Sequence, residues 1–165
     1  MAKLSHYDGA GRARMVDVSG KKATRREAEA SAFVSMKPAV LAALPKNPKG
    51  DPLEVARFAG IMAAKRTSEL IPMCHPLPLA RVDVEMRLCE NGVAIVAKVA
   101  TTAQTGVEME ALVAATVSAL TIYDMTKGMD KGIEIRNIVL ERKTGGKSGD
   151  YTRSNHAGKK LSKKK

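Results

Sequence analysis

From Arg81 to Leu88 the chain alternates without a break. Val82, Val84, Met86 and Leu88 share one parity, and Arg81, Asp83, Glu85 and Arg87 share the other. A period of two marks a strand with one buried and one wet face. Asn91-Gly92 follows, a pair suited to the positive φ of a tight hairpin turn. Val93, Ile95, Ala97 and Val99 then carry the same alternation toward Thr101. The chain is thereby committed to an antiparallel hairpin with one apolar face, which needs a second layer to cover it.

The remaining elements are placed around that hairpin. Thr24 to Met36 admits two readings. Thr24 and Glu27 have capping-box spacing, which would open a helix. Ala28, Ala30, Ala32, Val34 and Met36 all fall on one parity, however, and that alternation favours a strand. Pro38 to Leu44 reads as one or two helical turns. Asp51-Pro52-Leu53-Glu54 is a clear helix start, with an acidic N-cap, proline at the first position and a carboxylate at the third. Val55, Ala59, Met62 and Ala63 are the expected buried stripe of that helix, which runs to about Thr67. Thr105-Gly106-Val107-Glu108 has capping-box spacing, and Val107 to about Lys127 is helical and apolar on most sides. A last strand is expected from Ile133 to Glu141, and a short edge strand from Arg14 to Val18. With the first short helix set aside, the order is strand, helix, strand, strand, helix, strand. That is the split βαβ, or ferredoxin-like, α+β arrangement: a four-stranded antiparallel sheet with two long helices on one face, here with N-terminal additions.

The 165 residues are 44% hydrophobic but only 3% aromatic, so Val, Ile, Leu, Met and Ala must fill a single core. No run of about 18 apolar residues suggests a membrane span, and the N-terminus lacks the pattern of a secretory signal. Two cysteines, Cys74 and Cys89, are too few for a disulfide framework, which points to a reducing, cytoplasmic setting. The net charge is +11, of which residues 153–165 carry six bases and no acid. Residues 1–152 are expected to form one domain, opened by a loose arm over 1–12, with 153–165 a disordered basic tail.

One connector stands out chemically. Lys65 to Leu79 reads K-R-T-S-E-L-I-P-M-C-H-P-L-P-L, and holds Met73-Cys74-His75 between Pro72 and Pro76. Each proline fixes its own φ and restricts the residue before it, so this thiol and imidazole are held stiffly. The long second helix carries Glu108 and Glu110 in its first turn and Asp124 and Lys127 at its end. Asp124 and Lys127 are three apart and share a face. Glu108 and Asp124 are 16 residues apart, or roughly 24 Å along the axis. One small substrate cannot touch both ends within one chain, which favours a homo-oligomer with sites at subunit interfaces. Blander roles stay open for each group: a capping carboxylate for Glu108, a surface pair for Asp124 and Lys127, a core histidine for His75, and solvated loop lysines for Lys49 and Lys147. No metal site is expected, because Cys74 and His75 are adjacent and have no partner at zinc-ligand spacing.

These stretches carry a resemblance. The connector K-R-T-S-E-L-I-P-M-C-H-P-L, T-G-V-E-M-E-A-L from Thr105, T-I-Y-D-M-T-K from Thr121, G-G-K-S-G-D from Gly145 and M-V-D-V-S from Met15 together resemble the molybdenum cofactor biosynthesis protein C (MoaC) family. The likeness runs in unbroken order from about Arg14 to Tyr151. It implies a cyclic pyranopterin monophosphate synthase, a phosphorus–oxygen lyase that converts 3′,8-cyclo-7,8-dihydroguanosine triphosphate to cyclic pyranopterin monophosphate and diphosphate. It also implies a hexamer, a trimer of dimers, with the pocket at the dimer interface. By resemblance Asp124 is catalytic with Lys127 beside it. Met73, Cys74 and His75 form one wall of the substrate pocket, and Glu108, Met109 and Glu110 another. Lys49 and Arg26 match positions that bind phosphates or assist the chemistry. No cofactor is implied, and any magnesium would accompany the substrate triphosphate. Thr126 departs from an expected cysteine and Pro52 from an expected aliphatic residue, but neither is a site position.

The main rival is a basic ferredoxin-like domain that binds nucleic acid. Such a platform stacks bases on aromatic side chains of its central strands. Residues 81–88 and 93–101 contain none, so no specific nucleic-acid partner is expected.

Overall fold

The computed structural model describes residues 6–154. In chain order the elements are β1 (Thr24–Ser35), α1 (Pro38–Ala43), α2 (Pro52–Lys65), α3 (Thr67–Leu70), β2 (Leu79–Cys89), β3 (Gly92–Ala103), α4 (Glu108–Thr126), β4 (Glu134–Thr144) and β5 (Tyr151–Thr152). The sheet has the order β2-β3-β1-β4-β5, and every pairing is antiparallel. Its first four strands have the ferredoxin-like order that the sequence pattern leads one to expect. Two-residue β5 adds a fifth strand at the β4 edge.

Alternation decides the ambiguous segment. Thr24–Ser35 is a strand, and Ala28, Ala30, Ala32 and Val34 lie buried on one face with Val93, Ile95, Ala97 and Val99 of β3. These small side chains let α4 sit close above the sheet. Ala111, Ala114, Ala115 and Ala119 of α4, all fully buried, meet them in one core cluster with Ile122.

Helix α2 starts as its sequence dictates, with Asp51 Oδ1 accepting from the backbone N–H of Leu53 at 2.9 Å. Its buried face differs from the expected stripe. Ala56, Gly60, Ala63 and Ala64 face inward, while Val55 and Met62 are exposed and Phe58 is 67% exposed. The cause is close helix packing. Ser118 Oγ of α4 donates to the Ala56 carbonyl at 3.1 Å, and a Cβ on Gly60 would meet Ser118 and the Ala114 carbonyl. Only small residues fit that crossing, so the large apolar side chains turn outward.

Two further expectations change. Arg14 to Val18 joins no strand of the sheet; it lies against the Met73–His75 connector, where the Val16 carbonyl accepts from His75 Nε2. The capping box at Thr105 does not form, because the N-cap of α4 is Val107, two residues later, with no side-chain cap. The G-G-K-S-G-D stretch is the turn joining β4 to β5. Gly145 and Gly146 both take positive φ (85° and 84°), and Asp150 Oδ1 accepts from the Gly145 N–H at 3.0 Å. Arg153 continues the pairing by donating its N–H to the Glu141 carbonyl. Residues 1–5 of the arm and 155–165 of the basic tail lie outside the described residues.

The α2–α4 crossing is the most sensitive packing contact in this layer. Gly60→Val should destabilise the chain by about 3 kcal/mol, because overpacking there displaces backbone as well as side chain. Urea unfolding monitored by circular dichroism checks this, and a midpoint unchanged from wild type would contradict the packing described.

Candidate functional site

A cleft of about 420 Å³ opens at the N-terminal end of α4, a size suited to a small-molecule ligand. Three pieces of chain wall it. Met73, Cys74, His75 and Leu77 come from the proline-held connector, Thr105, Gly106, Glu108, Met109 and Glu110 from the start of α4, and His6, Val16, Val18 and Lys21 from the N-terminal segment. His75 is oriented by its 2.8 Å bond to the Val16 carbonyl. A carbonyl only accepts, so Nε2 carries the proton.

The carboxyls at the cleft differ sharply. Glu108 pairs with Lys143 at 3.1 Å, and Lys143 also donates to Ser148 Oγ at 2.8 Å. Glu110 is only 4% exposed. Burial, reinforced by the neighbouring Glu108 charge, pushes its carboxyl up to about 7. The Cys74 thiol is also raised, first by its own burial and then by Glu110. That is the opposite of what a thiolate nucleophile requires.

A second polar cluster sits at the other end of α4. Lys127 Nζ and Asp124 Oδ1 pair at 2.7 Å with side chains 52% and 61% exposed. The hydrogen bond from Lys127, then its charge and that of Lys49, hold Asp124 below the usual carboxylate range, and the same bond raises Lys127. Lys49 Nζ donates to the Asp124 carbonyl at 3.4 Å, and Asn47 Nδ2 to that of Met125 at 2.9 Å, so the 46–50 turn is docked on the helix end. An exposed pair contributes little to stability because water screens it, so folding alone gives little reason for it.

A family model, that of the MoaC family, matches residues 15–146. The chain belongs to the MoaC family. Relatives named cyclic pyranopterin monophosphate synthase resemble it almost end to end. The protein from Streptomyces coelicolor is 54% identical over 92% of this chain and 91% of its own length. That from a Nostoc species is 56% identical over 91% and 92%, and that from Brevibacillus brevis 53% over 92% and 96%.

Of the site residues expected for a MoaC chain, Met73, Cys74, His75, Glu108, Met109 and Glu110 come together in the cleft. Asp124, Lys127 and Lys49 come together at the far end of α4 and do not line it. Arg26 belongs to neither group. Its Nε and Nη2 donate to the carbonyls of Ala103 and Gln104, both at 3.0 Å, and Gly146 lies against its guanidinium. Arg26 therefore holds the strand-to-helix link that carries Thr105 and Gly106 into the cleft. His6, Lys21, Thr105 and Lys143 are additions that only the structure brings in. No pattern marks His6 or Lys21, since their segment has neither periodicity nor spacing to a partner. Among the described residues no group of three or more His, Cys, Asp or Glu side chains could hold a metal ion, and no helix is long and apolar enough to cross a membrane.

The raised Glu110 carboxyl has a measurable consequence. The folded chain keeps this proton up to about pH 7, while the unfolded chain releases it near 4.5. Between those values the folded state binds more protons, so its stability falls as pH rises and levels off above. Glu110→Gln removes that slope. Its Tm advantage over wild type should be small at about pH 4 and largest near pH 8. A Tm difference constant across that range would show that Glu110 does not titrate as described.

Proposed function

We propose that this chain is a cyclic pyranopterin monophosphate synthase, a cytoplasmic lyase that acts on 3′,8-cyclo-7,8-dihydroguanosine triphosphate and releases diphosphate. The observation that carries the reading is near end-to-end similarity to relatives bearing that enzyme name. The geometry supplies a place for such chemistry. It divides the expected groups between two ends of one helix, roughly 24 Å apart. A complete site then needs two chains, one presenting the Glu110 end and the other the Asp124 end. In support, Val55, Phe58 and Met62 of α2 and Leu120 of α4 leave large apolar side chains in solvent on a single chain. The homohexamer, a trimer of dimers, that the family resemblance implies would supply such shared sites.

In that assembly Lys49 and Lys127 meet the triphosphate, with any magnesium brought by the substrate. A hydroxyl derived from the sugar attacks the innermost phosphorus, and diphosphate leaves as charge builds on its oxygens. Fixed cations stabilise that charge. The accompanying opening of the purine five-membered ring and closure of a pyrazine ring need proton transfers but no net change in electrons. Asp124 serves as base and Lys127 as acid. Their mutual pairing holds both in the charged form those roles require, yet it weakens Asp124 as a base. A phosphate that draws Lys127 away would return Asp124 toward ordinary basicity at the moment substrate arrives. Glu110, neutral or ionised near pH 7, suits a proton relay on the facing wall.

Asp124→Asn and Lys127→Ala should each lower turnover of the cyclised intermediate by at least about 100-fold while leaving the circular dichroism spectrum intact. Near-normal rates in either variant would end this assignment. Shared sites make a second demand. Asp124→Asn and His75→Ala chains, each inactive alone, should regain a substantial fraction of activity when unfolded together and refolded as mixed oligomers. Mixed oligomers that stay inactive would place each site within one chain.

A further inference from the structure

The last carbonyls of a helix have no partner within it and must be satisfied from outside. At the end of α4 the Tyr123 carbonyl accepts from the Lys127 N–H at 2.8 Å, and the Thr126 carbonyl from the Met129 N–H at 2.9 Å. The two carbonyls between them accept from a segment 75 and 78 positions earlier in the chain: Asp124 from Lys49 Nζ at 3.4 Å, and Met125 from Asn47 Nδ2 at 2.9 Å. Asn47 turns the other half of its amide to its own turn. Its Oδ1 accepts from the Lys49 N–H at 2.9 Å, and its main-chain carbonyl from the Gly50 N–H at 3.1 Å. One side chain thereby joins the backbone at Lys49 to the helix end that carries Asp124 and Lys127.

The turn is anchored on both flanks. Before it, the carbonyl of Leu44, which is buried in the core, accepts from the Asn47 N–H at 3.2 Å. After it, Gly50 takes a φ of 96°, where glycine is favoured, and Asp51 caps the start of α2. Residues 47–51 therefore bracket the end of one long helix and the beginning of another, with Lys49 between. The two bonds to α4 differ in kind. Asn47 is half-buried and its bond is short, whereas Lys49 is exposed and its bond is long, so a charged oxygen can take over the ammonium. A lysine stem is flexible, and an anion held between Lys49 and Lys127 must order two ammonium groups that repel each other. Fixing the backbone of one in advance lowers that cost.

We propose that Asn47 is a positioning residue for the phosphate-binding cations: its amide, clamped between the Met125 carbonyl and the Lys49 N–H, holds Lys49 at the spacing from Lys127 that a polyphosphate chain requires. This rests on the reading of Lys49 and Lys127 as ligands of the substrate triphosphate, but its test does not depend on turnover.

The test is a double-mutant cycle. Inorganic tripolyphosphate is titrated calorimetrically into the full chain in its native assembly, as wild type, Asn47→Ala, Lys49→Ala and the double variant. Asn47→Ala should weaken binding about 3- to 5-fold, through the lost ordering of one lysine. Lys49→Ala should weaken it about 10-fold, through lost charge-assisted bonds. In the Lys49→Ala background Asn47→Ala should have no further effect, because the group it positions is gone. A cap that merely holds the helix end together behaves otherwise, since its removal disturbs Lys127 as well and costs the same factor with or without Lys49. Three results overturn the proposal: unchanged affinity in Asn47→Ala, the same loss in both backgrounds, or a wild type that does not bind tripolyphosphate. Assay of the wild type with the cyclised intermediate is read separately. Absence of conversion there removes the synthase reading, while the cycle still decides whether Asn47 acts through Lys49.

Discussion

Helix α4 is packed so closely on its sheet and on α2 that its length acts as a fixed ruler. Alanines at 111, 114, 115 and 119 lie against alanines and valines of β1 and β3, and Ser118 is bonded to the backbone of α2 at its closest approach. Interiors of this kind do not deform continuously. Whatever sits at residue 110 and whatever sits at residue 124 are therefore held at a set separation. That constraint turns one run of helix into two half-sites and makes association of chains a chemical requirement of the proposed function.

The same helix places two carboxyls in opposite environments. Glu110 lies in the buried first turn beside another acid, and holds its proton to about neutral pH. Asp124 lies in the exposed last turn beside two lysines, and is held below the ordinary range. Neither shift belongs to the residue type. Each follows from which neighbours the fold supplies: desolvation and a like charge at one end, water and cations at the other. A pocket assembled from both ends would thus combine a protonated acid with an ionised base at one pH, a pairing suited to chemistry with several proton transfers.

Packing also explains why large side chains of α2 face water. The crossing at Gly60 admits only small groups, so Phe58 and Met62 are displaced to the outer surface. A periodicity argument assigns big apolar residues to the core because burial area favours them. Here close approach of two backbones outweighed that gain, and the apolar ridge left outside became a surface suited to association.

The amino-acid sequence by itself determined the elements and the connector that walls the cleft. Strict alternation over 81–88 and 93–101, the Asn91-Gly92 turn and the Asp51-Pro52 helix start are local, and each acts through the backbone of a few residues. They were enough for the order of strands and helices, and the proline-held Met73–His75 connector was legible for the same reason. Contacts between distant segments were decided only by tertiary structure. The rotation of α2, the engagement of Arg26 by the carbonyls of Ala103 and Gln104, and the docking of His6 into the cleft all join residues more than 50 positions apart in the chain. No local pattern encodes such pairs, because they depend on how closely whole elements can approach once their small residues meet.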